Sequence, residues 1–174
     1  MKDKKQLHMD GVFKDIIRYA DGRVVETEWS HNLIVSSALT LITSLLANRD
    51  SITGIQYWAV GSGFQSWDSS MPNPTSSAKV LTNELGRKAL TTDNIRFLDS
   101  EGFPTDTPTN RIEVSCFFEA DECNGLWREF GIFGGNATTE ADTGILIDKK
   151  HHSLITKTNE MTVERTIIFT LNLV

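Results

Sequence analysis

With 174 residues and a formal net charge of −6, the chain has the length for one compact core. Its 23 acidic against 17 basic side chains leave no basic surface for phosphate neutralisation, which excludes nucleic acid as the expected partner. Two cysteines, Cys116 and Cys123, exclude a disulfide-dense secreted scaffold and fit folding in a reducing cytoplasm.

Residues 1–10 open with Lys2, Asp3, Lys4 and Lys5 and read as a flexible, solvated tail. Residues 11–174 read as a single β-rich domain. Its first element, over 11–31, is a hairpin: Val12, Phe13, Ile16, Ile17 and Tyr19 precede Asp21-Gly22, and Val24, Val25, Thr27 and Trp29 follow. Asp-Gly suits a tight two-residue type I′ turn. Apolar residues on both faces predict a hairpin covered on each side, or a ribbon projecting toward another subunit.

An amphipathic helix is predicted over 33–48, because Val35, Ala38, Leu39, Ile42, Leu45 and Leu46 recur at helical spacing. Asn32 or Ser36 is placed to cap its start and Asn48 to end it. The window Leu33 to Ala47 is too short and too interrupted by Ser and Thr to cross a bilayer, so no membrane partner is expected. The polar side of the helix, Ser37, Thr40, Thr43 and Ser44, carries no charge. That marks it as an interface candidate, with a loop of the same chain as the alternative cover.

A short buried strand over Ile55 to Val60 runs into Gly61-Ser62-Gly63, and the Ser, Pro and Asn content of 64–77 predicts a long surface loop. A helical turn is expected at Lys79 to Lys88, then strands near Ala89 to Leu98 and Asn110 to Ala120. In the latter Cys116 falls at an apolar position and is expected as a small buried hydrophobe, a bridge to Cys123 being the alternative. Strands follow at Leu126 to Phe133, Gly144 to Asp148 and Ser153 to Thr158.

The last predicted strand, 160–174, alternates most cleanly, with Met161, Val163, Ile167, Phe169, Leu171 and Leu173 on one side and Thr162, Glu164, Thr166, Thr170 and Asn172 on the other. At about 3.3 Å per residue it approaches roughly 50 Å, so it must bend at a bulge or outrun its domain. The series describes a mainly β protein, an antiparallel sandwich or barrel-like domain with one packed helix and an N-terminal hairpin.

No motif commits the chain to catalysis. Gly61-Ser62-Gly63 lacks the remaining glycine or the Lys-Ser/Thr ending of a phosphate loop, and no Ser-centred, zinc-helix or calcium-loop pattern occurs. His151-His152 is expected in an exposed loop; adjacent strand residues face opposite ways and do not share a metal. Asp93, Asp99, Asp106, Asp121 and Glu122 are scattered over turns. The expectation is a non-enzyme with no cofactor and no metal.

Charges inside apolar sequence are more informative. Glu84 and Arg87, three apart, would be neighbours on a helical turn, Arg128 and Glu129 are flanked by large apolar residues, and Arg165 occupies the apolar register of the final strand. A buried charge left alone costs several kcal/mol, so at least one of Arg87, Arg128 and Arg165 is expected to pair with Glu84 or Glu129.

The ordered motifs Asn32-Leu33-Ile34, Ala59-Val60-Gly61-Ser62-Gly63, Leu81-x-x-Glu84-Leu85-x-Arg87, Arg128-Glu129-Phe130-Gly131-Ile132-Phe133 and Ile155-x-Lys157 before an alternating strand resemble those of small tailed-bacteriophage structural proteins related to tail-fibre and collar-fibre attachment domains. The resemblance implies a virion component, made in the bacterial host cytoplasm, that docks at the tail, baseplate or neck as a symmetric homo-oligomer, a trimer or hexamer, alongside other virion proteins. Fibre proteins of this kind continue into a distal shaft; here the sequence ends at the motif strand, which favours an adaptor or fibre-attachment subunit. Contacts are then expected at strand edges, at the helix face and along the terminal strand, including Ile168 and Val174. The rival readings are a glycan- or receptor-binding sandwich using Trp67 in the long loop, a capsid-associated decoration protein, and a hydrolase using loop carboxylates.

Overall fold

The computed structural model describes residues 5–174 and shows two antiparallel sheets with a half-barrel curl and a single α-helix. Part of the predicted tail, residues 1–4, lies outside the described residues. The rest of it is shorter than expected, because the first strand, β1, already begins at Leu7 and runs to Tyr19. It is followed by β2 (Val24–Glu26), β3 (Ser30–His31), β4 (Leu33–Ile34), α1 (Ser37–Leu46), β5 (Thr53–Gly61), β6 (Glu84–Ala89), β7 (Ile95–Leu98), β8 (Pro104–Thr105), β9 (Arg111–Phe118), β10 (Gly125–Gly135), β11 (Ile145–Lys157) and β12 (Met161–Leu173). One sheet has the order β2-β1-β12-β9-β7-β8, with β3 also on β1; the other has the order β4-β11-β10-β5-β6.

The terminal strand is central, not an edge. It pairs without a register shift along all of β1, from Leu7↔Leu173 to Tyr19↔Met161, and on its other side with β9. Its predicted alternation holds: Met161, Val163, Arg165, Ile167 and Phe169 are buried and the residues between them are only partly so. The neighbour it requires is thus β1 of its own chain. Cover fails only at the far end, where Phe169 is fully buried but Leu173 is 67% exposed.

β1 and β2 form the expected hairpin, but through a three-residue loop. Gly22 N–H donates to Tyr19 O, Tyr19 N–H to Arg23 O, and only Gly22 has a positive φ, +89°. This is a type I turn closed by a left-handed glycine, which keeps the strands twisted where a plain type I turn would splay them. The ribbon neither projects nor is covered on both faces. β1 lies inside the sheet, Phe13 and Ile17 point into the core, and Val24 and Trp29 stay 56% and 45% exposed.

Helix α1 is shorter than the predicted 33–48 and starts at Ser36 without a side-chain cap. It ends at Asn48 as expected. The Arg49 and Asn48 N–H groups donate to Ser44 and Leu45 carbonyls while Asn48 takes φ +47°, a Schellman termination in which asparagine substitutes for the usual glycine. Ala38 and Leu41 bury its core side.

Two expectations about later elements are corrected. Residues expected as a helical turn at 79–88 instead lead into strand β6, because β5 offers its edge for pairing. The two strands expected at 144–148 and 153–158 are one 13-residue strand, β11. Its polar centre Lys149-Lys150-His151-His152 is therefore not an exposed loop; it continues the ladder with β10.

The main core fills the space between the sheets, with Trp58, Trp127, Phe130, Ile132, Phe118 and Ile167 at its centre. A second cluster of Val35, Ala59, Leu81, Phe133 and Leu146 lies on the other side of the five-stranded sheet. That sheet is thus buried on both faces, its outer one coated by irregular chain that brings in Val35, Leu81 and Ala137, together with Trp67 of the segment predicted as a surface loop.

Candidate functional site

Most of the charged candidates anchor that coat. Arg128 donates to Asp68 through Nε and Nη2, both at 2.7 Å, and through Nη1 to Ser62 O at 3.2 Å. The fork geometry fixes the 65–68 helical turn against β10 and holds the Asp68 carboxyl below its ordinary range. Glu129, fully buried, accepts from Thr82 and Asn83 N–H at 3.0 and 2.9 Å and pairs with Lys149 Nζ at 3.0 Å. A residue larger than glycine at position 61 would crowd this carboxylate, since a Cβ there comes within 2.8 Å of Oε1. Arg128 and Arg165 both take aspartates, so the expected pairing of at least one arginine with Glu84 or Glu129 is met by Arg87 alone of the three.

Trp67 belongs to the same coat and is corrected as a glycan platform. It is 6% exposed, stacked on the His151 ring with centroids 4.0 Å apart. His151 Nδ1 donates to Pro72 O at 2.7 Å, and burial pushes its pKa down, so the ring is neutral and its Nε2 has no partner.

Glu84 and Arg87 do pair, for a reason other than the helical one. On a regular strand residues three apart face opposite ways. Here Val60 pairs with Gly86 and Gly61 with Glu84, so Leu85 is an extra residue, and the bulge returns Glu84 and Arg87 to one face. They form a two-pronged bond of 2.6 and 2.8 Å, with side chains 1% and 3% exposed. Arg87 Nη1 also reaches the carbonyls of Thr138 and Thr143, and Glu84 accepts from Asp142 N–H, tying down the 136–144 loop.

The third arginine sits inside the sandwich. Arg165, fully buried on β12, bonds Asp15 on β1 at 2.8 and 2.9 Å and lies over the Phe130 ring at 4.6 Å. From the opposite sheet, His152 Nδ1 donates to Ser153 O, which leaves Nε2 to accept from Arg165 Nη2 at 3.0 Å. Burial first, then the adjacent guanidinium, drives the His152 pKa well below the ordinary imidazole range. The result is a neutral acceptor that links the two sheets and presents no general base to a cleft.

Two further buried ionisable groups act as ties. Lys157 Nζ donates to Glu119 O, Ala120 O, Asn124 Oδ1 and Thr158 O at 2.8 to 3.2 Å, gathering the turn after β9. Asp148, wholly buried, accepts from Ile132 N–H at 2.9 Å and from the Asn32 amide. No cation adjoins it, and burial raises its pKa to about 7. Cys116 is buried as expected and burial pushes its thiol up to about 12; neither it nor Cys123 is in a disulfide.

The interface candidates separate by position. On α1, Thr40 and Thr43 are exposed, Ser37 and Ser44 half-buried; Ser37 donates to Leu146 O at 2.7 Å and Thr43 to its own helix. Ile168 is half-buried on the outer face of the seven-stranded sheet, and Val174 is exposed, its N–H bonded to Gln6 O. The more distinctive surface is apolar and lies elsewhere. Between α1 and the ends of both sheets a groove of about 360 Å3 is lined by Ile42, Leu45, Ile55, Phe97, Ile112 and Leu171 among others, with no charged side chain.

The sequence reading missed Asp15, Lys149, Asp148 and the groove. Asp15 falls in the inward register between Phe13 and Ile17, a signal equal to the one that singled out Arg165. Among the described residues no group of three His, Cys, Asp or Glu side chains is arranged to hold a metal ion, and no helix is long and apolar enough to cross a membrane. Comparison with protein-family models, curated proteins and solved structures finds no match.

Proposed function

We propose that the chain is a structural subunit of a tailed-bacteriophage particle, an adaptor or fibre-attachment component at the tail, baseplate or neck that acts through subunit contacts. One observation carries the assembly part: an apolar groove with no charged lining is flanked by exposed Leu39, Leu45 and Leu46 of α1 and by the Leu7/Leu173 overhang, so these side chains adjoin one continuous apolar surface. The buried arginines and their acidic partners are engaged in holding loops and strands. Apolar patches of this kind mark protein contacts, and the scaffold beneath is stiffened so that the contact face keeps its shape. The placement in a phage particle rests on the sequence resemblance.

Its test is compositional. Particles purified from the phage that encodes this chain should contain it at a fixed copy number by quantitative mass spectrometry, and a labelled antibody should mark one position on the tail or neck. A chain found only in the infected-cell lysate and never in particles overturns the reading.

A further inference from the structure

We infer that the open end of the sandwich is a self-association surface, on which a second copy of this chain seats the same patch about a two-fold axis; the inference rests on the assembly reading above and names its contact. The groove and its relief stand side by side. Leu46 is 79% and Leu39 54% exposed on the flank of α1 next to Ile42, while Leu7 and Leu173, 49% and 67% exposed, extend the β1–β12 ribbon beyond the groove-lining pair Met9 and Leu171. A hollow with projecting leucines beside it on one surface is the arrangement a two-fold contact requires, since each copy must offer both.

Charge selects the partner. The chain carries −6 overall, so an identical molecule is repelled wherever charged faces meet. Residues 36–47, which span α1, contain no charged side chain, and the groove lining contains none. A strongly basic or acidic partner finds nothing complementary here, whereas a second copy meets an equally neutral face. A small ligand is a poorer occupant, because ligand sites add a few convergent polar groups to an apolar pocket and this lining supplies no polar side chain. The four exposed leucines offer on the order of 500 Å2 per copy before the groove is counted, approaching the ~800 Å2 per partner of a standard interface.

Sedimentation velocity and light scattering on the wild-type chain and on the double variant Leu39→Glu/Leu46→Glu test the inference. The wild type should be dimeric, or a higher even-numbered assembly built from such pairs, at concentrations on the order of 100 µM. The variant should self-associate at least about 30-fold more weakly, as loss of central interface side chains does. At concentrations low enough for both chains to be monomeric its melting midpoint should match the wild type, because both substituted side chains are exposed in the single chain. A second variant, Val24→Glu on the β2 edge, should assemble like the wild type. A wild type that stays monomeric, or that binds dodecanoate as a monomer, overturns the inference. So does an oligomer indifferent to Leu39→Glu/Leu46→Glu but lost in Val24→Glu; the chain would then still assemble, through another face. Absence from particles, by contrast, defeats the functional reading and leaves the contact standing.

Discussion

The outer face of the five-stranded sheet and the open end of the sandwich treat apolar surface in opposite ways. On the outer face Phe133, Leu146 and Ala59 are sealed by irregular chain, and that chain is held by charge: Arg128 with Asp68, Glu129 with two backbone N–H groups and Lys149, Arg87 with Glu84. At the open end Leu46 and Leu173 face outward with nothing from the described residues over them. Coating loops contain too few apolar residues to stay down by burial alone, so buried ion pairs hold them with directional bonds. Buried charge here therefore marks where irregular chain is fastened onto the sheet.

The comparison breaks most severely if the shared strand is removed. Truncation after Ile167 deletes Phe169 and every β12 partner of Leu7 to Val12, and no cooperative unfolding transition should remain by circular dichroism. Next, Asp15→Ala strands Arg165 in the core and should cost about 3–5 kcal/mol in denaturant unfolding, whereas replacing both residues with apolar ones should recover most of that loss. A cost below about 1 kcal/mol would mean that water reaches the pair.

Asp148 adds a pH dependence whose sign is set by its raised pKa. Between about 3.8, the ordinary value, and about 7, the folded state keeps a proton that the unfolded chain releases. Its contribution is therefore greatest at low pH, falls by up to roughly 4 kcal/mol as pH rises through that window, and is flat above it. Asp148→Asn should remove this slope from the stability–pH curve, and an unchanged slope would place its origin elsewhere. The smallest effect belongs to the open end: Leu46→Ser should alter stability by no more than about 0.5 kcal/mol, which separates binding surface from core.

Regular periodicity was legible. The alternations of β9 and β12 and the helical spacing of α1 led to the observed elements, because one face of each packs against the core. What escaped were places where tertiary pairing overrides local pattern. β11 read as two strands because its centre is Lys-Lys-His-His, yet alternate side chains there reach the coat and the Arg165 layer. Trp67 read as a surface residue because serine and aspartate surround it, while its ring is buried against His151. The Glu84–Arg87 pair was found through a helix that does not form; only the bulge at Leu85, invisible to spacing rules, brings the two together. The groove left no local signal at all, since its lining comes from both sheets and the helix.

The pairing of β1 with β12 has a consequence for biosynthesis. These adjacent strands lie far apart in sequence, Leu7–Tyr19 against Met161–Leu173, so the seven-stranded sheet lacks an inner member until β12 has left the ribosome. Closing so long a loop adds only modest entropy but slows the search. A nascent chain therefore carries the unmatched side of β1 until β12 emerges, open to chaperones, and a product terminated before β12 has no stable sheet in which to hide from proteases.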